Sequence, residues 1–179
     1  MIWESSYWKD DVLAIAVSLE KRIIQKKWFD TSKANTEKEI MLSAFMVRKL
    51  FESCKIDFTI QNKSIPIVQY PSNGKEISLL RRMSPEKYFH LDKPTETTTK
   101  VIDLYNNIIH SYIFIMIFED DNKLRKFWVA SDRNKFKFMM EIKVSEYISI
   151  LREVGNFWPI SAEFSYDPNK NDYTVKYRK

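Results

Sequence analysis

The first third of the chain places apolar residues at helical spacing in two separate stretches. The first stripe consists of Trp8, Val12, Ile15, Leu19 and Ile23, and the second of Ile40, Ala44, Val47, Phe51 and Cys54. Steps of three and four residues are typical of amphipathic helices. The polar run Asp30-Thr31-Ser32 separates the two stripes and offers a cap for the second helix. We therefore predict an antiparallel helical hairpin over residues 1–55.

Beyond residue 55 the pattern changes to the alternation that is typical of strands. Apolar residues first alternate with polar ones at Ile56, Phe58 and Ile60. Residues 65–68 form a second apolar run, which Pro66 assigns to an edge strand or a bulge because proline cannot donate a ladder hydrogen bond. We expect residues 77–80 to pair back as a hairpin strand. Residues 83–95 contain two prolines and indicate a loop or one short helical turn.

The second half of the chain predicts most of the sheet. Helical spacing runs from about residue 97 to His110, and the continuous apolar run 112–118 is typical of a central strand covered on both faces. The remaining predicted elements are strands at 125–130 and 136–142, a helix at 145–155 and a final hairpin over 160–177. Because residues 136–142 alternate strictly, we expect that strand to have one solvated face.

These elements predict an α+β fold. It consists of an N-terminal antiparallel helical hairpin and a mainly antiparallel meander sheet with two further helices, because strands joined by short turns must be antiparallel. We expect one domain over residues 1–179. Within it, the change of pattern near residue 56 separates a helical hairpin subdomain (1–55) from an α+β sheet subdomain (56–179).

Composition excludes several kinds of chemistry. The chain has two glycines, one cysteine and two histidines in 179 residues. Glycine-rich phosphate loops and cysteine clusters for zinc or iron–sulfur therefore cannot be built. Local backbone structure explains both glycines, because Gly74 falls in a predicted turn and Gly155 at the predicted end of a helix. We predict no metal site and no cofactor, and any binding site must be formed by side chains.

The net charge of +5 is spread along the chain. The excess of basic residues is +2 in residues 1–56, +2 in 57–100 and +1 in 101–179. Nucleic-acid binding usually needs a concentrated basic face, so this distribution supports it only weakly. The most apolar stretch, 108–118, contains His110 and is too short to span a membrane, and the N-terminal residues do not resemble the basic start of a secretory signal. We expect a cytoplasmic protein without a membrane partner, and the Ile-, Lys- and Asn-rich composition favours a bacterial or phage source.

His110 is the leading candidate for chemistry. It lies where a predicted helix ends and a strand begins, and a helix C-terminus stabilises a protonated imidazole. In a meander, turns alternate between the two ends of the sheet. The turn with Asp132 and Arg133 therefore falls at the same end as His110, and the three residues can form one site. The alternative is structural: His110 then satisfies carbonyl groups at the helix end, and Asp132 stabilises its own turn.

Seven further residues are candidates for binding surfaces. They are the tryptophans Trp3, Trp8 and Trp28 around the first helix, the basic pair Arg81 and Arg82, and Tyr173 and Tyr177 in the final hairpin. Exposed aromatic residues are typical anchors for protein partners, and a basic pair beside aromatic residues can hold single-stranded nucleic acid. Each also has a structural alternative, as packing residues or as a solvated hairpin end.

Two functional hypotheses follow. The first is a non-catalytic interaction protein, such as an accessory, immunity or adaptor subunit, that binds a protein partner or another copy of itself through a sheet edge or the helical hairpin. The second is a small metal-independent enzyme or sensor acting on a nucleotide or RNA phosphate, with His110 as acid or base and Arg133 as charge stabiliser. The sequence favours the first, because most catalytic motifs are absent. It leaves open whether the protein is an enzyme.

Overall fold

An N-terminal helix pair precedes a sheet with further helices. The helices are α1 (Ser5–Arg22), α2 (Asp30–Glu52), α3 (Phe58–Asn62), α4 (Val101–Ile109) and α5 (Val144–Gly155). The strands are β1 (Ser64–Pro71), β2 (Thr95–Lys100), β3 (Ser111–Phe118), β4 (Leu124–Ser131), β5 (Phe138–Lys143), β6 (Ser161–Asp167) and β7 (Asp172–Arg178). The computed structural model describes residues 2–169 and 171–178.

Five strands form one antiparallel sheet in the order β2-β1-β5-β4-β3. Strands β3, β4 and β5 are the predicted meander, and β1 and β2 extend it beyond β5. The hairpin β6–β7 forms a separate two-stranded sheet. The predicted α+β fold class is therefore confirmed.

The main core lies between the sheet and the helices. Side chains from α1, α2, α4 and α5 pack together with the inward-facing residues of β1, β4 and β5. At its centre, the Tyr147 hydroxyl is within 2.7 Å of Ser43 Oγ and donates to the Ile40 carbonyl at 3.0 Å. Burial raises the pKa of Tyr147 well above its ordinary value. This core contains residues from both sides of position 56, and the division into two subdomains stays a prediction.

The opposite face of the sheet is covered by the segment between β1 and β2. Ile77, Tyr88 and Phe89 from this segment pack on Met139 of β5 and on neighbouring residues of β3 and β4. Strand β5 is therefore covered on both faces, and the prediction that it has one solvated face is wrong. The prediction that residues 112–118 form a central strand is also wrong, because β3 is an edge strand of half-buried residues.

Four local expectations in the part of the chain up to residue 100 are wrong as well. The alternation after residue 55 belongs to α3, which begins where the Asp57 carboxylate accepts the Thr59 N–H at 2.7 Å. Residues 77–80 form no strand, and β1 pairs with β2 instead. Residues 97–100, expected to begin a helix, end strand β2, whose sequence TETTTK carries no apolar alternation to reveal it. Residues 65–68 lie in β1, which is an inner strand with a continuous register, so neither the expected edge strand nor a bulge is found. Pro66 is tolerated there because only β2 runs beside it, and pairing with β5 begins at Val68.

Candidate functional site

The end of α4 and the turn between β4 and β5 are held together at one end of the sheet. Strand β3 begins where β4 ends, with Ser111 opposite Ser131. The Asp132 N–H donates to the His110 carbonyl at 3.1 Å, and the Asn134 side-chain amide donates to Asn107 Oδ1 at 2.9 Å. These two hydrogen bonds fix the turn against the helix end.

An open pocket of about 750 Å³, which we call the α4 pocket, lies beside this junction. The turn contributes Ser131, Asp132, Arg133 and Asn134, followed by Lys137. Helix α4 contributes a polar stripe, and α2 contributes Arg48. The structure thus brings His110, Asp132 and Arg133 to one pocket, as the meander topology predicts. Their roles there stay predictions.

The polar stripe of α4 follows from helical geometry. Asp103, Asn106, Asn107 and His110 are spaced at i, i+3, i+4 and i+7, which places them on one side of the helix. The Asn107 amide donates to the Asp103 carbonyl at 2.8 Å, and Asn106 Oδ1 accepts a hydrogen bond from Arg48. The stripe is therefore held in place within the helix and by α2.

Cationic side chains outnumber carboxylates in the pocket. Arg48, Arg133 and Lys137 face it, against Asp103 and Asp132. The Asp132 carboxylate is already neutralised by Lys135, whose Nζ lies 2.6 Å from Asp132 Oδ1. Lys135 also makes a cation–π contact, because its Nζ lies 3.9 Å from the ring centroid of Tyr112. The uncompensated charge that a ligand would meet is therefore positive.

Two of these cations are available to a ligand. Among the described residues, the side chains of Arg133 and Lys137 have no hydrogen-bond or ion-pair partner, and both residues are exposed. Arg48, by contrast, also donates from Nε to Glu52 at 2.8 Å. Arg133 and Lys137 can thus turn toward an anion without breaking an internal contact.

His110 is the C-cap residue of helix α4, and its backbone hydrogen bonds hold the helix end in place. Its N–H donates to the Asn106 carbonyl at 3.1 Å, and its carbonyl accepts Asp132. The residue is exposed, and its imidazole has no hydrogen-bond partner among the described residues. The structural alternative, in which the buried ring satisfies helix carbonyls, is therefore not what the structure shows.

The floor of the α4 pocket is formed by the sheet. Phe138 of β5 is half-buried and provides an apolar surface, whereas Met140 is 1% exposed; Gln69 of β1 and Thr99 of β2 add polar groups. An apolar surface next to an amide suits an aromatic or heterocyclic part of a ligand, since amides hydrogen-bond to ring edges.

The seven predicted binding residues lie elsewhere. Trp3 is 96% exposed, whereas Trp8 and Trp28 are half-buried, with Trp28 Nε1 donating to the Asn122 carbonyl at 2.9 Å. Arg81 and Arg82 are exposed in the segment between β1 and β2, and Tyr173 and Tyr177 lie in β7. Among the described residues, none of the seven lines the α4 pocket.

Sequence reasoning missed several residues of the α4 pocket. The stripe on α4 was detectable, because Asp103 precedes His110 by two helical turns. Arg48, Gln69 and Thr99 had no such signal, because long-range packing of α2, β1 and β2 places them there.

Other site types find no support in the described part of the chain. Within residues 2–169 and 171–178, no group of three or more His, Cys, Asp or Glu residues is placed to hold a metal ion. None of the helices there is long and apolar enough to cross a membrane. No protein-family model, no curated protein and no solved structure matches the chain.

Proposed function

We propose that the protein binds a phosphate-bearing ligand, a nucleotide or an RNA strand, in the α4 pocket. The observation that carries this proposal is the convergence of Arg48, Arg133 and Lys137 on one open pocket beside His110. Guanidinium and ammonium groups are the usual partners of phosphate in proteins, because their hydrogen bonds to it are charge-assisted.

The size and lining of the pocket favour a nucleotide over inorganic phosphate. A volume of about 750 Å³ lies within the range of sites for small organic ligands, roughly 300–1,000 Å³. The cations would hold the phosphate near the turn, and the half-buried Phe138 would pack against the base. Gln69 would then hydrogen-bond to the edge of the base.

His110 gives the site a group suited to proton transfer. Histidine is the commonest general acid or base in enzymes. Its ring is exposed in the same pocket as Arg133, which would stabilise charge on a phosphate. We propose ligand binding as the function. If His110 also transfers a proton to or from the bound ligand, the protein is an enzyme; if it does not, the protein is a sensor.

The test is calorimetric titration with the four 5′-mononucleotides and a six-nucleotide single-stranded RNA. We expect saturable binding by the wild type and an affinity at least about ten-fold lower for Arg133→Ala, because losing a charge-assisted hydrogen bond costs about 1.5–3 kcal/mol. Arg82→Ala removes an equally exposed arginine outside the pocket and should bind as the wild type does.

Two results would contradict the proposal. One is the absence of binding by every one of these ligands at about 1 mM, the weak end of specific affinity. The other is an equal affinity of Arg133→Ala and the wild type. The same samples, incubated and analysed by chromatography, separate an enzyme from a sensor, since turnover that disappears in His110→Ala identifies an enzyme.

A further inference from the structure

A second concavity, which we call the β7 groove, lies between β7 and the region where α2 is followed by α3. Its volume is about 770 Å³. The apolar residues of its two walls are Tyr173, Val175 and Tyr177 on one side and Phe51, Ile56 and Phe58 on the other. It shares no lining residue with the α4 pocket.

The free edge of β7 borders this groove. Each residue from 172 to 177 lines it, whereas one face of a strand would contribute only alternate residues. Within the described residues, β7 pairs with β6 and with no other strand. The second row of backbone N–H and C=O groups along β7 therefore points toward the groove without a strand partner.

The hairpin also lacks the support that such a pair of strands needs. A two-stranded hairpin alone is marginally stable in water, and it becomes stable when a third strand or a packed layer is added. Residues 161–166 of β6 are all exposed, and neither strand packs extensively on another helix or strand. Its anchor to the core is Tyr177, whose ring meets that of Phe157 at 5.4 Å between centroids.

We propose that an extended segment of a partner protein binds in the β7 groove as a third strand beside β7. An unpaired strand edge is complementary to an extended backbone, which supplies the matching donors and acceptors. Residues 172–177 would pair with about six residues of the partner, or about 20 Å of strand. Residues of α2 and α3 line the far side of the groove, so the partner strand would lie between β7 and these two helices.

The two faces of β7 specify the side chains of the partner segment. One face carries Tyr173, Val175 and Tyr177, and the other carries Asp172, Thr174 and Lys176. The partner segment therefore needs apolar residues at alternate positions and polar residues between them. The charged residues that line the groove are Asp57, Asp172 and Lys176, so carboxylates outnumber cations and the polar positions favour basic residues.

Fluorescence anisotropy with a labelled peptide tests this inference. The probe is Lys-Val-Lys-Val-Lys-Val-Lys, and its control is the block isomer Lys-Lys-Val-Val-Val-Lys-Lys, which has the same composition and charge. We expect the alternating peptide to bind at least about ten-fold more tightly, with a dissociation constant below about 1 mM. It should also slow amide hydrogen exchange about ten-fold at those residues of 173–177 whose N–H points away from β6, because new ladder hydrogen bonds protect those amides.

Two exposed phenylalanines provide matched variants. Phe58 forms a wall of the groove and is 66% exposed, and Phe29 lies at the other end of α2, away from the groove, and is 71% exposed. We expect Phe58→Ala to weaken binding about ten-fold and Phe29→Ala to leave it unchanged, with circular dichroism confirming that both variants fold.

Four results would overturn the inference. They are equal binding of the two peptides, no binding at about 1 mM, unchanged binding in Phe58→Ala, and exchange protection outside β7. A concentration-dependent dimer that disappears in Phe58→Ala would assign the groove to a second copy instead. Since the α4 pocket shares no residue with the groove, nucleotide binding by the same protein is unaffected by any of these outcomes.

Discussion

Glu141 lies in the central strand β5, where its carboxylate accepts hydrogen bonds from three side chains. Tyr70 Oη donates at 3.0 Å, Trp128 Nε1 at 2.8 Å and Lys126 Nζ at 2.8 Å. Burial alone would raise the pKa of Glu141, but the hydrogen bonds from Lys126, Trp128 and Tyr70 outweigh it and hold the pKa below its ordinary value. Burial, together with the hydrogen bond to Glu141, raises the pKa of Tyr70 to about 12.

Replacing this carboxylate should produce a pH-dependent loss of stability. We expect Glu141→Gln to lower the free energy of unfolding at pH 7 by about 2 kcal/mol, the value of a hydrogen bond to a charged group. The folded pKa of Glu141 is lowered, so its contribution is complete above the unfolded pKa of about 4.3 and is lost as the pH falls through the folded pKa.

Urea unfolding of both proteins between pH 3 and pH 7 measures this effect. The difference between wild type and Glu141→Gln should shrink toward acid pH. The exposed Glu37 gives a control, because Glu37→Gln should leave stability unchanged throughout. A Glu141→Gln difference that is constant over the whole range would refute the role of the charge.

The same residue explains why the face of β5 could not be predicted. Alternation around Glu141 resembles a solvated face, because a glutamate with Lys126, Trp128 and Tyr70 as partners has the same sequence signature as one in water. The partners come from β1 and β4, and no pattern within β5 reveals them.

At the scale of elements, α1 and α5 pack in close contact at Gly155. A Cβ atom at this position would lie 2.4 Å from Leu13 Cγ and 3.2 Å from the Lys9 carbonyl oxygen. Gly155 is the last residue of α5, which confirms the predicted helix end. The approach of α1 is a second reason for glycine there, and no local pattern reveals it.

Gly155→Ala should therefore destabilise the packing of α1 on α5. Overpacking costs about 1–3 kcal/mol, and alanine recovers up to about 1 kcal/mol through its higher helix propensity. We expect a net loss of about 1–2 kcal/mol in the free energy of unfolding, measured by urea denaturation.

Two variants sharpen this measurement. Ser149→Ala, on the exposed side of α5, should be neutral. If the clash with Leu13 is the cause, the combination of Leu13→Ala with Gly155→Ala should cost less than the sum of the single changes. Additive costs would show that close approach to Leu13 does not explain Gly155.

Elements with strong periodicity were predictable, and elements defined by tertiary pairing were not. The stripes of α1 and α2 and the final hairpin follow from local pattern. Strand β2 has none, because its threonines and charges are exposed on both faces. Strand β3 has the composition of a buried strand, yet it lies at the edge, where the segment between β1 and β2 and the helices cover its two faces only partly.

At the scale of the whole molecule, connectivity made part of the site predictable. A meander returns the chain to the same end of the sheet after two strands, so His110 and the turn with Asp132 and Arg133 had to lie near each other. The contributions of Arg48 and Gln69 depend on how α2 and β1 pack against α4 and β5, which local patterns do not encode.

The molecule thus presents two separate surfaces of different chemistry. The α4 pocket is polar and cationic, and the β7 groove is apolar with a free strand edge. The phosphate-binding hypothesis concerns the α4 pocket, and the protein-partner hypothesis concerns the β7 groove. Because the two surfaces are separate, neither hypothesis excludes the other. The α4 pocket is the stronger candidate for a functional site, because its charged side chains come from three segments and meet in one opening.

The most direct measurement is an NMR titration of the ¹⁵N-labelled protein with each 5′-mononucleotide and the six-nucleotide RNA. We expect saturable changes in the amide chemical shifts of residues 103–110 and 131–137, and no comparable changes in residues 81–82 or 172–177. An absence of shifts for every ligand, or shifts concentrated outside the α4 pocket, would contradict the proposed function.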